Sequence, residues 1–129
     1  MKKLNILITG AAGQLGNSIQ FATEKRYDNY IFTDICDGYE RLDVTANESD
    51  IEKFVKENNI DVIVNCAAYT NVNECCPDNS LSVELNVTTV EKLDRICKRY
   101  DIPLIQISSD YVFNGKEGRP YKEDDEMNQ

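Results

Sequence analysis

A short apolar run that ends in three closely spaced glycines constrains this chain most, in the sequence LNILITGAAGQLG. The run from Leu4 to Ile8 is apolar and rich in β-branched isoleucine, and it predicts a buried β-strand. Glycine lets the backbone turn sharply and approach a neighbour closely, and the glycines that follow the run are Gly10, Gly13 and Gly16. Apolar residues then recur at helical spacing, at Leu15, Ile19 and Ala22. The stretch therefore predicts a strand, a glycine-rich turn and a helix.

This order of elements indicates a site for a pyrophosphate. The turn directs backbone N–H groups and the positive end of the helix toward one point, as in folds that bind dinucleotides. We therefore expect Gly10, Gly13 and Gly16 to contact a dinucleotide. The alternative is a glycine-rich turn between a strand and a helix that binds no ligand.

Size and charge limit the class of protein. The 129 residues are enough for one domain with a sizeable core. The formal net charge of −9 argues against nucleic acid or an anionic membrane as the partner, because both select basic surfaces. No apolar run is long enough to cross a bilayer or to act as a signal peptide, so we expect a cytoplasmic protein.

The five cysteines are an odd number, and the chain contains no histidine and no C-x-x-C spacing. This favours free thiols in a reducing compartment over disulfides, and we expect no metal site. Cys75 and Cys76 are adjacent in the sequence. A redox or metal role for this pair is the alternative to small, buried, apolar side chains.

Further apolar runs and amphipathic segments alternate along the chain. Strands are predicted at 30–33, 40–42, 61–66 and 104–108, and helices at 47–58 and 81–100. Asn47 or Ser49 is expected to cap the first of these helices, and Ser49 with Glu52 has the spacing of a capping box. The alternation predicts an α/β fold: a Rossmann-type, doubly wound parallel sheet with strand order 3-2-1-4-5 in a three-layer αβα arrangement.

Asp34 follows the second predicted strand, where a carboxylate can accept hydrogen bonds from the hydroxyls of an adenosine ribose. Its charge would repel a 2′-phosphate, and no arginine follows it closely along the chain, which favours NAD over NADP. The alternative is an aspartate that only forms a turn. After the third strand, Asp43 and Val44 are candidates to border the adenine, and Asp43 is equally suited to begin the next turn.

The fourth and fifth strands end at one edge of the predicted sheet, next to the point where the strand order reverses. Ala67 and Ala68 are small enough to let a cofactor pass close to the backbone, or to allow tight packing of a helix on a strand. Ser109 and Asp110 end the fifth strand, and a hydroxyl there can bind a substrate carbonyl oxygen and stabilise developing negative charge. The alternative is a serine that caps a backbone segment.

With these motifs the chain resembles the extended short-chain dehydrogenase/reductases, and among them the dTDP-4-dehydrorhamnose reductase family. The resemblance extends along nearly the whole chain, and the matching segments are ITGAAGQLG, FTDI, RLDVT, DVIVNCAAYTNVNECC, ELNVTTVEKL and ISSDYVFNGKEGRPYKEDD. SDYVFNG and PYKEDD discriminate best, since sugar epimerases and dehydratases usually carry a different segment there.

The resemblance implies reduction of the C4 keto group of dTDP-4-dehydro-L-rhamnose, with NADPH or NADH as the hydride source. It implies that Ser109 binds the keto oxygen, at a position where close relatives carry threonine, and that Asp110 also contacts the substrate. It further implies cofactor contacts, which match Gln14, Leu15, Asp43, Val44, Ala67, Ala68 and Tyr69.

One motif of the family is absent. The family's Tyr-x-x-x-Lys pair supplies the proton, and none of the seven tyrosines here has a lysine four residues later. We therefore expect residues 1–129 to be an incomplete NAD(P)-binding Rossmann domain that is inactive alone, with 110–129 a loop leading to a missing C-terminal part. The unpaired fifth strand allows a homodimer. The alternatives are a regulatory subunit resembling the β subunit of methionine adenosyltransferase, or another sugar-nucleotide epimerase or dehydratase.

Overall fold

The structure is a computed structural model of the chain and describes residues 3–67, 84–107 and 122–124. The strands in these ranges are β1 (Asn5–Thr9), β2 (Asn29–Asp34), β3 (Glu40–Arg41), β4 (Val62–Asn65) and β5 (Leu104–Gln106). The helices in the same ranges are α1 (Gln14–Ala22), α2 (Glu48–Glu57) and α3 (Thr89–Tyr100), and a π-helical turn (Glu84–Thr88) leads into α3. The strands form one parallel sheet in the order β3-β2-β1-β4-β5, which confirms the predicted Rossmann-type fold.

β1 lies at the centre of the sheet because its sequence, NILIT, suits a strand that is covered on both faces. Leu7 and Ile8 point to opposite faces, and both side chains are buried. On the face of Leu7, a core cluster includes Ile51 of α2, Ile63 of β4 and Leu93 of α3. Right-handed crossovers place α1, which precedes the reversal of strand order, on the other face. The chain thus has three layers, with the sheet in the middle.

The start of α2 corrects one prediction about capping. The helix begins at Glu48 with Asn47 in the N-cap position, so Ser49 lies inside the first turn and forms no capping box with Glu52. The Asn47 side chain makes no capping hydrogen bond. Glu52 instead pairs with Arg99 of α3 at 3.0 Å, because α2 and α3 pack side by side.

The packing of α1 also differs from its predicted apolar stripe. Gly16 is the buried residue of this helix, whereas Leu15 is 40% exposed and Ala22 is exposed. The helix therefore packs through a glycine, and Leu15 faces outward beside the turn. In α3, by contrast, Leu93 and Ile96 are buried as the helical spacing predicts.

Neither a membrane-spanning helix nor a cluster of metal ligands is present in the described residues. In residues 3–67, 84–107 and 122–124, no helix is both long and apolar enough to cross a membrane. The same ranges contain no group of three His, Cys, Asp or Glu side chains placed to hold a metal ion. The predicted helix start at Leu81 and strand end at Ser108 lie outside the described residues.

Candidate dinucleotide site

Buried polar side chains join the carboxyl ends of the strands. Thr9 Oγ1 donates a hydrogen bond to Asn65 Oδ1, and Asn65 Nδ2 donates one to Gln106 Oε1 at 2.8 Å. On the other side of β1, Thr33 Oγ1 donates to the Ile8 carbonyl oxygen at 2.9 Å. Thr9, Thr33 and Asn65 are fully buried, where polar groups need hydrogen-bond partners. These bonds hold four strands in register at the edge from which the glycine-rich turn departs.

Two glycines of the turn are required by the fold itself. Gly10 has a φ of +63°, and a Cβ there would lie 2.6 Å from the Ala67 backbone nitrogen and 2.8 Å from the Cys66 carbonyl carbon. A Cβ on Gly16 would lie 2.5 Å from the Ala11 Cα atom. Both positions serve close approach of one backbone segment to another. Gly10 joins the turn to the end of β4, and Gly16 joins it to α1.

Gly13 is different, because the residues that the structure describes leave its surroundings open. It is the exposed N-cap of α1, with φ of −75° and ψ of 177°, a conformation that any residue adopts. Among the described residues, a Cβ there would meet only the Gly10 carbonyl oxygen, at 3.4 Å. No side-chain cap covers the start of α1, whose first residues, Gln14 and Leu15, are exposed. The open space therefore lies over backbone N–H groups that suit a phosphate.

Asp34 holds the turn against the end of β2. Its Oδ2 atom accepts a hydrogen bond from the Ala12 backbone N–H at 2.9 Å, and its Oδ1 atom accepts one from the Ile35 N–H at 2.7 Å. The Cys36 thiol donates a third, weak bond to Oδ1 at 3.9 Å, and a carboxylate with about four acceptor positions still has capacity for a ribose hydroxyl. The side chain is half-buried, and its bond to the Ala12 N–H positions the turn.

Arg41 is a residue of this site that sequence reasoning missed. In the register of β2 and β3, Arg41 is the partner of Asp34. Its Nη1 atom donates a hydrogen bond to the Ile35 carbonyl oxygen at 3.1 Å. Arg41 is seven residues from Asp34 along the chain, and only the pairing of β2 with β3 makes the two residues neighbours. The signal that could have found it is the predicted parallel pairing of the second and third strands.

The loop after β3 is organised by a turn and by α3. Asp43 Oδ1 accepts hydrogen bonds from the Thr45 hydroxyl at 2.6 Å and from the Thr45 N–H at 2.9 Å, which hold the pKa of Asp43 below its usual value. From α3, Lys92 Nζ donates to the Ala46 carbonyl oxygen at 2.7 Å. Asp43 therefore begins the turn, as one of its two interpretations expects. Val44 is buried beside it, and contact of either residue with adenine stays a prediction.

The remaining predicted contacts divide between described and undescribed parts of the chain. Ala67 lies next to Gly10, where the turn meets β4. Ala68, Tyr69, Ser109 and Asp110 lie outside the described residues, as do Cys75 and Cys76. Burial raises the pKa of the Cys66 thiol, and it raises that of Cys97 to about 11, with a smaller contribution from Asp94. These two thiols therefore stay protonated near neutral pH and pack as small apolar side chains.

The known proteins of similar sequence include dTDP-4-dehydrorhamnose reductases. The chain is 36% identical over 118 residues to a dTDP-4-dehydrorhamnose reductase of Streptomyces griseus, covering 92% of this chain and 37% of that relative. It is 33% identical over 131 residues to a dTDP-4-dehydrorhamnose reductase of Mycobacterium tuberculosis, covering 94% of this chain and 39% of the relative. The chain thus spans about two fifths of the length of these curated relatives.

Solved structures give the same comparison in three dimensions. A dTDP-4-dehydrorhamnose reductase from Clostridium acetobutylicum superposes with a TM-score of 0.87 at 38% identity, covering 97% of this chain and 43% of that one. A dTDP-4-dehydrorhamnose reductase from Bacillus anthracis, solved in complex with NADP, superposes with a TM-score of 0.87 at 29% identity, covering 98% and 44%.

A family profile matches almost the whole chain. It is described as the RmlD substrate binding domain, and the match covers residues 4–128. In this chain the matched region includes the parallel sheet, the glycine-rich turn and the loops that surround them. The chain therefore belongs to the RmlD substrate binding domain family.

Proposed function

We propose that this chain binds NADPH or NADH as the cofactor-binding part of a reductase that acts on a dTDP-4-dehydro-sugar. The observation that carries the proposal is the difference between the glycines of the turn. The fold accounts for Gly10 and Gly16, whereas Gly13 leaves open space over the start of α1. A pyrophosphate has the charge and size for that space. The NADP bound by the Bacillus anthracis relative supports a dinucleotide as the ligand.

The cofactor, when bound, supplies hydride for reduction of the C4 keto group. The chain's own residues bind and orient it: Gly13, Gln14 and Leu15 face the pyrophosphate and Asp34 accepts hydrogen bonds from the ribose. The remaining proposed cofactor contacts are Asp43, Val44, Ala67, Ala68 and Tyr69. Ser109 and Asp110 are the proposed substrate contacts, and the Ser109 hydroxyl donates a hydrogen bond to the keto oxygen. The motifs that this chain shares with the reductase family support these roles.

We further propose that the 129-residue chain binds a dinucleotide but does not turn over substrate by itself. None of its tyrosines is followed four residues later by lysine, and the reaction needs a group that donates a proton to the keto oxygen. A positioned acid contributes about 10²- to 10⁴-fold in rate. Oxidation of NADPH by a dTDP-4-dehydro-sugar in the presence of this chain, followed by nicotinamide absorbance, would contradict this statement.

Calorimetric titration with NADPH and with NADH tests the binding site. Gly13→Ala adds one methyl group to the open space, and we expect it to weaken binding of both dinucleotides by about tenfold or more. Phe21→Ala is the matched control, because Phe21 is 84% exposed near the other end of α1. Circular dichroism of both variants should match the unaltered chain. Unchanged dinucleotide affinity in Gly13→Ala would refute the proposed site.

A further inference from the structure

We propose that Arg41 binds the 2′-phosphate of NADPH, so that this chain accepts NADPH in spite of the carboxylate of Asp34. The inference rests on the proposed dinucleotide site and adds to it a residue that determines cofactor specificity. Asp34 alone favours NADH, because its charge repels a phosphate on the 2′ position. The question is therefore whether the structure supplies a positive charge at the same place.

The sheet supplies it through strand pairing. Arg41 is the register partner of Asp34, and its side chain is exposed at the edge strand β3. Its Nη1 atom reaches the Ile35 carbonyl oxygen at 3.1 Å, which holds the guanidinium over the end of β2. In doubly wound folds the adenosine ribose lies beyond this strand end. Arg41 is thus anchored beside the position that the 2′ substituent would occupy.

The backbone of one residue, Ile35, contacts both charged side chains. The Ile35 N–H donates to Asp34 Oδ1 at 2.7 Å, while the Ile35 carbonyl oxygen accepts from Arg41. The other oxygen of Asp34 accepts from the Ala12 N–H at 2.9 Å. Both carboxylate oxygens therefore already face backbone donors, which offset part of the negative charge that a 2′-phosphate would meet.

Arg41 keeps most of its hydrogen-bonding capacity for a ligand. A guanidinium has five N–H donors in a planar fork, and the bond to Ile35 uses one of them. The fork matches the geometry of phosphate oxygens, which a single lysine ammonium does not reproduce. The chain can therefore bind either dinucleotide: the 2′-hydroxyl of NADH donates to Asp34, and the 2′-phosphate of NADPH accepts from Arg41.

Titration of the 129-residue chain with NADPH and NADH, side by side, tests this assignment. We expect Arg41→Ala to lower the affinity for NADPH by about 10- to 100-fold while changing that for NADH by less than about threefold. Arg41→Lys keeps the charge but loses the planar fork, so its affinity for NADPH should lie between that of the unaltered chain and that of Arg41→Ala. Arg26→Ala is the matched control, because Arg26 is an exposed cation beyond the C-terminal end of α1 and should leave both affinities unchanged.

The outcomes separate this inference from the site on which it rests. If the unaltered chain binds both dinucleotides and Arg41→Ala keeps the same ratio of NADPH to NADH affinity, Arg41 has no role and the proposed function stands. An equal loss of both affinities also overturns the assignment. If the unaltered chain binds neither dinucleotide, the proposed site fails and the inference fails with it. A selective loss of NADPH affinity supports both.

Discussion

Replacing Gly10 by alanine tests how tightly the glycine-rich turn is joined to β4. The added Cβ would lie 2.6 Å from the Ala67 nitrogen, 2.7 Å from the Ala67 Cα atom and 2.8 Å from the Cys66 carbonyl carbon. All three are backbone atoms, so no side-chain rotation relieves the contact. Either the turn or the end of β4 must move, and the hydrogen bond from the Cys66 N–H to the Thr9 carbonyl oxygen, at 3.2 Å, would be strained.

Two costs add in this variant. A residue other than glycine at φ of +63° loses about 1–2 kcal/mol relative to its ordinary conformation. Insertion of a methyl group into a closely packed region costs about 1–3 kcal/mol. We therefore expect Gly10→Ala to lower the free energy of unfolding by about 2–5 kcal/mol. That is a large share of the stability of a domain of this size.

Gly13→Ala is the matched comparison, since the same methyl group meets one atom at 3.4 Å and the backbone stays in an ordinary conformation. The N-cap prefers glycine to alanine, so we expect a cost of at most about 1 kcal/mol. Urea denaturation followed by far-ultraviolet circular dichroism gives both values. A Gly10→Ala variant within about 0.5 kcal/mol of the unaltered chain would refute the close contact between the turn and β4. Equal losses of unfolding free energy in the two variants would refute the distinction between Gly10, which the packing requires, and Gly13, which it does not.

Two further predictions concern the helices. Hydrogen bonds from arginines and Tyr100 hold the pKa values of Glu48 and Glu52 below those of the unfolded chain. These two carboxylates therefore stabilise the fold above the usual glutamate pKa, and that stabilisation is lost as pH falls through the lowered values. Thermal melts in this acidic range should show the loss, and Arg99→Met should reduce its slope. Lys92→Met keeps the length of a buried side chain but removes the bond to the Ala46 carbonyl oxygen, and urea denaturation should show a loss of about 1–3 kcal/mol. An unchanged midpoint would mean that this bond does not hold the loop after β3.

The strand order could be predicted because buried strands and amphipathic helices leave clear periodic signals. The run that contains Leu7 and Ile8 has no polar face, which identifies the central strand, and Leu93 and Ile96 mark the buried face of α3. The fold class then follows from right-handed crossovers. Strand ends were less certain: the fifth strand stops at Gln106, before the predicted end.

The site could be predicted only where its signals are local. The pattern of glycines locates the turn. Which glycine serves close packing depends on distances between the backbones of separate elements, and no local pattern encodes these distances. Arg41 was missed for a related reason, because its position beside Asp34 depends on the register of β2 and β3. Ser49 has a suitable spacing for a capping box, yet the helix begins one residue before it. Competing starts two residues apart differ too little in local sequence to be separated.

The side-chain hydrogen bonds described at the carboxyl ends of β1, β4 and β5 run in one direction. The Thr9 hydroxyl donates to Asn65, the Asn65 amide donates to Gln106, and the Gln106 amide donates to the Ile107 carbonyl oxygen at 3.0 Å. Each amide is fixed in one orientation by its neighbour on either side. An aspartate in place of Asn65 would present an acceptor to the Gln106 oxygen and force that amide to turn over, which would break its bond to Ile107. Mutations at these strands are therefore coupled, so that the tolerated residue on one strand depends on the residue on the next.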